Sequence, residues 1–115
     1  MPDTNSDFHL PAISAAEALA RQAEGAILID LRKTSARDAD GRVVLGAVLR
    51  DPFTFGHDDP LMTETRPLIT FCVHGHEVSQ FGCAMLMVHG RDAVYVRGGC
   101  LALAAAGAVL RERPE

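Results

Sequence analysis

No apolar run in this chain approaches the roughly 20 residues that a membrane-spanning helix needs, so a membrane helix is not expected. The opening Met1-Pro-Asp-Thr-Asn-Ser-Asp7 lacks a basic segment followed by an apolar core, the pattern of a secretory signal. Cysteine is scarce: three residues, an odd number without repeated spacing, do not make a disulfide framework. A reduced, cytoplasmic protein with free thiols is the simplest expectation. Positive charge is not in excess either. The formal net charge is -4, and Arg21, Arg32, Arg37, Arg42, Arg50, Arg66, Arg91 and Arg97 are scattered rather than gathered in a stripe. Neither a nucleic acid nor an anionic membrane is expected as a partner. Tryptophan, internal repeats and low-complexity linkers are absent.

What remains is an ordinary globular composition, 48% hydrophobic and 23% charged over 115 residues, enough for one domain with a real core. Residues 1–7 and 111–115 are expected to be loose ends, with the core over about 10–107. Ser14-Ala-Ala-Glu17 is a capping-box pattern that opens a helix over Ala15 to Ala23, with Gly25 as its stop. Ala26 to Leu31 is an aliphatic run with the length of a buried strand. Further strands are expected at Ala47 to Arg50, Leu68 to Cys72 and Ala93 to Val96. Pro52, Gly56, Pro60 and Pro67 make most of the stretch between the second and third strands a loop. Val78 to His89 has helical length and spacing before Gly90. Gly98-Gly99 reads as a turn, and Leu101 to Ala106 as a short Ala-rich helix ended by Gly107.

Strands alternating with helices predict a parallel sheet covered on both faces, with a ligand site beyond the carboxyl ends of the strands. Cys72 ends a strand and opens the loop Val73-His74-Gly75-His76-Glu77-Val78 before the next helix. Backbone N–H groups of such a loop, with the positive end of the helix, can stabilise a thiolate or hold an anion delivered to it. Gly75 permits a turn that a side chain forbids. The competing reading is an inert, buried cysteine at a strand end, since free cysteine is often buried.

Four pieces in order resemble the rhodanese homology domain from about Leu10 to Gly107. Leu28-Ile-Asp-Leu-Arg32 is similar to its early hydrophobic-x-Asp-x-Arg strand. Gly41-Arg-Val-Val-Leu-Gly-Ala47 is similar to its Gly-His-Ile-x-Gly-Ala segment. Phe71-Cys72-x-x-Gly75 resembles the active-site strand and loop, and Val94-x-x-x-Gly98-Gly99 the late strand and double-glycine turn. The resemblance implies an α/β fold with a central, mostly parallel sheet of four to five strands and helices on both faces. It implies that Cys72 accepts sulfane sulfur, for example from thiosulfate, as a persulfide and passes it to a thiol, a cyanide-like acceptor or a protein. It implies substrate contact with the amides of Val73, His74, Gly75, His76, Glu77 and Val78. Asp30, Arg32, Gly98 and Gly99 become supporting residues, with Arg32 as a mere surface charge the plainer alternative. No cofactor or metal is implied.

The chain departs from the pattern in places. Gly41 is followed by Arg42 rather than His, Leu103 stands near the place of the usual aromatic residue after the double glycine, and Glu77 and Val78 occupy the region where an Arg often ends the loop. Glu77 would oppose an anionic donor unless it turns outward into the first turn of the helix. Without that Arg a phosphatase or arsenate reductase of the same fold lacks its oxyanion grip. A non-catalytic binding or sensor module is the main alternative. Cys72, His74 and His76 alternate, as zinc ligands do on a strand, yet no fourth ligand is evident, and solvent-facing histidines are the plainer reading. Cys83 reads as core packing. Cys100, beside the double glycine, is a candidate resolving thiol. His57-Asp58-Asp59 reads as a solvated loop, with cation binding as its alternative.

Overall fold

The computed structural model describes residues 10–112, so the expectation of loose ends at 1–7 and 113–115 lies outside them. Four helices and seven strands follow one another in the order β1 (Ala12–Ile13), α1 (Ala15–Ala23), β2 (Ile27–Asp30), α2 (Thr34–Asp40), β3 (Arg42–Val44), β4 (Val48–Leu49), β5 (Leu68–Phe71), α3 (Glu77–Val88), β6 (Ala93–Val96), α4 (Gly99–Ala105) and β7 (Leu110–Glu112). A 3-10 turn at Pro60–Thr63 breaks the long loop before β5. Five strands make one parallel sheet in the order β1-β6-β5-β2-β4, and β3 pairs antiparallel with β7. The fold is therefore the α/β architecture expected, with five parallel strands. Arg111 and Glu112, expected to be loose, pair in β7 with Val43 and Arg42.

Alternate residues of the central strands feed two cores, as a two-sided parallel sheet requires. Leu28, Ile69, Phe71 and Val96 pack with Ala15 and Ala18 of α1 and Leu103 of α4. Ile29, Leu68 and Ala93 pack with Cys83 and Leu86 of α3 and with Phe55, Leu61 and Met62 of the long loop. α1 opens as its sequence signals: Ser14 caps the helix, its Oγ accepting from the Glu17 N–H at 3.1 Å.

α2 is held differently. Arg37 is buried, and its Nη2 donates to the carbonyls of Asp30 (3.1 Å), Arg32 (3.0 Å) and Arg50 (2.9 Å). A single guanidinium thus ties α2 to the chain ends leaving β2 and β4. Its Nε is buried without a partner among the described residues.

The central strand β5 sends its chain to β6 on one side, whereas β2, its neighbour, leads to β4 on the other. The carboxyl ends of β5 and β2 therefore flank the topological switch point of the sheet, where such folds open a crevice.

Candidate active site

Cys72 follows β5 at that switch point and is 7% exposed. It lines a pocket of about 410 Å³ together with Val73, His74, His76, Glu77 and Val78 from its own loop and Arg32, Lys33 and Ala36 from the chain leaving β2. The Cys72 thiol donates to Ser79 Oγ at 3.2 Å, and that hydroxyl donates to the His76 carbonyl at 3.2 Å. Ser79 is fully buried in the first turn of α3, and its own carbonyl accepts from Thr70 Oγ1 at 2.7 Å. Sequence reading missed Ser79. Its only signal was its place in the first turn after the loop, on the side that must face the sheet.

The loop is tied down through its carbonyl oxygens. The Cys72 carbonyl accepts from the Cys100 N–H at 2.6 Å and the Val73 carbonyl from the Leu101 N–H at 3.4 Å. The Gly75 carbonyl accepts from Gln80 Nε2 at 3.1 Å. In a trans peptide the next N–H points opposite to the carbonyl, and no cis bond occurs among the described residues. The N–H groups of Val73, His74, His76 and Glu77 are therefore turned away from the groups that anchor their peptide units. Among the described residues, the N–H groups of Val73, His74, Gly75 and His76 find no backbone acceptor.

Close backbone approach makes this tethering work. Gly99, with φ +60°, lies so near the loop that a Cβ there would press on the Cys72 carbonyl oxygen and sit 2.6 Å from the Val73 carbonyl oxygen and 2.7 Å from the Gly75 nitrogen. Gly75, with φ +78°, reciprocates: its Cβ would be 2.6 Å from the Val96 carbonyl and 2.8 Å from the Gly98 nitrogen. The pair Gly98-Gly99 thus touches the loop backbone. Gly98, with φ +81°, caps α4, and Gly99 opens the helix still in the left-handed region, so the pair makes the expected turn into α4.

Among the described residues, Asp30 and Arg32 make no hydrogen bond or ion pair with the loop, although Arg32 lines the pocket beside it. Asp30 is completely buried and Arg32 is 2% exposed, which corrects the surface-charge alternative. Arg32 grips Asp30 through Nε and Nη2 (2.9–3.2 Å), reaches Asp40 with Nη1 at 2.9 Å and donates to the Arg42 carbonyl at 2.8 Å. Burial works against its charge, but the hydrogen bonds and charge of Asp30, with Asp40, outweigh burial and hold the guanidinium above its ordinary range. The network ties β2 to α2, whose Ala36 lines the pocket next to Lys33, and engages Arg32, the one arginine in the pocket lining. The cation offered to the pocket is Lys33, exposed at the start of α2, which sequence reading also missed.

His74 and His76 are exposed, their rings 6.2 Å apart. Among the described residues no group of three or more His, Cys, Asp or Glu is placed to hold a metal ion. Asp59 is engaged by Arg50 at 2.6 Å and caps the 3-10 turn, and His57 Nδ1 meets His89 Nε2 at 2.6 Å. Cys83 is fully buried, and burial pushes its thiol up to about 11. Cys100, in the first turn of α4, packs in the core with Ala15 and Ala18 of α1, and burial raises its thiol too. Glu77 is exposed in the first turn of α3 and still lines the Cys72 pocket. Beside the pocket, Pro52 and the exposed Phe53 and Phe81 form an apolar ledge that shares Glu77 and Val78 with it.

No protein-family model and no curated protein matches the chain. Solved structures do. A rhodanese-related protein from Thermoplasma volcanium is matched over 88% of this chain and 97% of that one, with a TM-score of 0.71 and 18% identity. A protein of unknown function from Rhodopseudomonas palustris, described as a possible tyrosine phosphatase, is matched over 94% and 89%, with a TM-score of 0.75 and 17% identity. A thiosulfate sulfurtransferase from Pseudomonas aeruginosa is matched over 90% of this chain and 20% of its own, with a TM-score of 0.72 and 17% identity. The fold is rhodanese-like. No helix among the described residues is long and apolar enough to cross a membrane.

Proposed function

From this fold and a thiol seated at its switch point, we propose that the chain is a sulfurtransferase or persulfide carrier working through Cys72. The observation that supports the reading is the anchoring of the Cys72, Val73 and Gly75 carbonyls, with the N–H groups of Val73, His74 and His76 left without a backbone acceptor. In the first half-step the Cys72 thiolate attacks the outer sulfur of a sulfane donor. With thiosulfate, the S–S bond breaks, sulfite leaves with its electron pair, and a persulfide remains on Cys72. In the second, a thiol or cyanide takes the outer sulfur and the thiolate returns. The loop amides stabilise the negative sulfur of both forms. Ser79 can turn its hydroxyl from the His76 carbonyl to donate to the charged sulfur. The exposed Phe53 and Phe81 beside the pocket support a protein among the acceptors. A reducing compartment such as the cytoplasm suits the chemistry.

Intact mass after incubation with thiosulfate and other sulfane donors tests the reading. A gain of one sulfur atom, reversed by cyanide and absent in Cys72→Ser, is expected. Persulfide on Cys83 or Cys100 in that variant would overturn the assignment, and no gain from any donor would favour a binding module. Efficient aryl-phosphate hydrolysis dependent on Cys72 would favour a phosphatase; none is expected, because Val78 ends the loop and the Arg32 guanidinium is engaged.

A further inference from the structure

The Cys72 pocket carries two opposite charges. Lys33 enters from the chain leaving β2, and Glu77 from the loop after β5, so the two stand on walls built by neighbouring strands. Both are exposed, and no hydrogen bond or ion pair engages either side chain among the described residues. The other basic group lining the pocket, Arg32, is spent on Asp30, Asp40 and the Arg42 carbonyl. His74 and His76 add polar rings on the loop side. The remaining lining, Ala36, Val73 and Val78, is apolar and fits a short carbon skeleton. A wholly anionic donor is attracted by Lys33 and repelled by Glu77; a donor bearing one charge of each sign satisfies both.

We propose that the donor is zwitterionic, a small α-amino-acid persulfide whose carboxylate meets Lys33 and whose ammonium meets Glu77. The inference rests on Cys72 being the sulfur acceptor. The step is a thiol–persulfide exchange. The Cys72 thiolate attacks the terminal sulfur of R–S–SH, the S–S bond breaks, R–S⁻ leaves with the electron pair and takes up the proton, and Cys72 keeps the persulfide. No oxidant or reductant is consumed.

Four probes distinguish the charges: cysteine persulfide, N-acetylcysteine persulfide without the ammonium, cysteamine persulfide without the carboxylate, and thiosulfate. The rate of sulfur gain on Cys72 is followed by mass against donor concentration. Cysteine persulfide should show the lowest KM, each missing charge raising it about three- to tenfold, the range of a partly screened charge-assisted contact. Lys33→Gln should raise KM for the two carboxylate-bearing persulfides and spare cysteamine persulfide, and Lys33→Arg should restore it. Glu77→Gln should raise KM for the two ammonium-bearing donors and lower it for thiosulfate, both shifts shrinking at high salt. Equal KM for the three persulfides, or shifts that ignore the donor's charge, would overturn the inference while Cys72 loading still stood. If no donor loads Cys72, the carrier reading and this inference fall together.

Discussion

Gly99→Ala is the sharpest test of how the site is held. Two costs combine. A side chain at φ +60° pays roughly 1–2 kcal/mol for the left-handed backbone. Its methyl would also press on the Cys72 carbonyl and lie 2.6 and 2.7 Å from the Val73 oxygen and the Gly75 nitrogen, all backbone atoms. Backbone cannot swing aside as a side-chain tip does, so the loop must shift, at a further cost of about 1–3 kcal/mol. Gly90→Ala separates the two. Gly90 has nearly the same kind of backbone, φ +78°, but nothing within 4 Å of its Cβ position. With each kcal/mol worth about 4–8 °C in a domain of this size, the melting temperature should fall by roughly 5–15 °C in Gly90→Ala and by a further 5–20 °C in Gly99→Ala. Sulfur gain on Cys72 should be unchanged in Gly90→Ala at a temperature where it is folded. In Gly99→Ala it should slow by about 10²-fold, since a displacement near 1 Å at the reacting centre is that costly. If the two variants melt alike and load sulfur alike, the double glycine does not hold the loop by backbone contact.

Ser79→Ala should slow sulfur gain on Cys72 about three- to tenfold, the worth of one hydrogen bond, with little change in melting because Thr70 binds the Ser79 carbonyl; an unchanged rate removes Ser79 from the site. Arg32→Met removes the main partner of the buried Asp30 carboxylate, leaving it Arg37 Nη2 at 3.6 Å, and should cost about 3–5 kcal/mol in urea unfolding, whereas Arg32→Met with Asp30→Leu should recover much of it; a cost below about 1 kcal/mol for the single change would show the network to be idle. Cys83 stays protonated up to about 11 in the folded protein, while the unfolded thiol ionises near 8.5. The folded state therefore binds the extra proton between those values, and stability falls as pH rises through that window. Cys83→Ala should lose about 1 kcal/mol at neutral pH to its cavity yet show a flatter decline above pH 9 or so; parallel curves would contradict the burial of this thiol.

The parts of the chain that bury apolar residues were legible in the sequence. Ala15 to Ala23 and Ala93 to Val96 have the expected bounds, and Leu68 to Cys72 overruns its strand only by the cysteine itself. Periodicity reports apolar burial, however, and α2 buries a guanidinium. Thr34-Ser-Ala-Arg-Asp-Ala-Asp40 shows no apolar face because Arg37 fills that place, its Nη2 held by the carbonyls of Asp30, Arg32 and Arg50. Charged residues read as surface until their partners are known, and the guanidinium of Arg32 is engaged by three residues, Asp30, Asp40 and Arg42. β1 and β7 are too short to carry an alternation signal, and their pairing is decided by tertiary neighbours. Within the site, Cys72 and its loop were legible because strand, glycine and helix are adjacent in sequence. Lys33 and Ser79 were not, because what matters about them is which wall they stand on.

The anchoring of the loop by α4 also fixes an order of events during synthesis. Cys72 leaves the ribosome well before Cys100 and Leu101, whose N–H groups hold its carbonyl and that of Val73. At ordinary elongation rates of about 5–20 residues per second, the nascent chain spends a second or more with the thiol made and its cradle unmade. β1 likewise has no strand to pair with until β6 emerges, and β3 waits for β7. Sheet, cradle and outer pair are all completed by the last third of the chain. The loop around the thiol is thus anchored only once α4 has been made, and a chain halted before Gly98 carries the cysteine without the contacts that fix its loop.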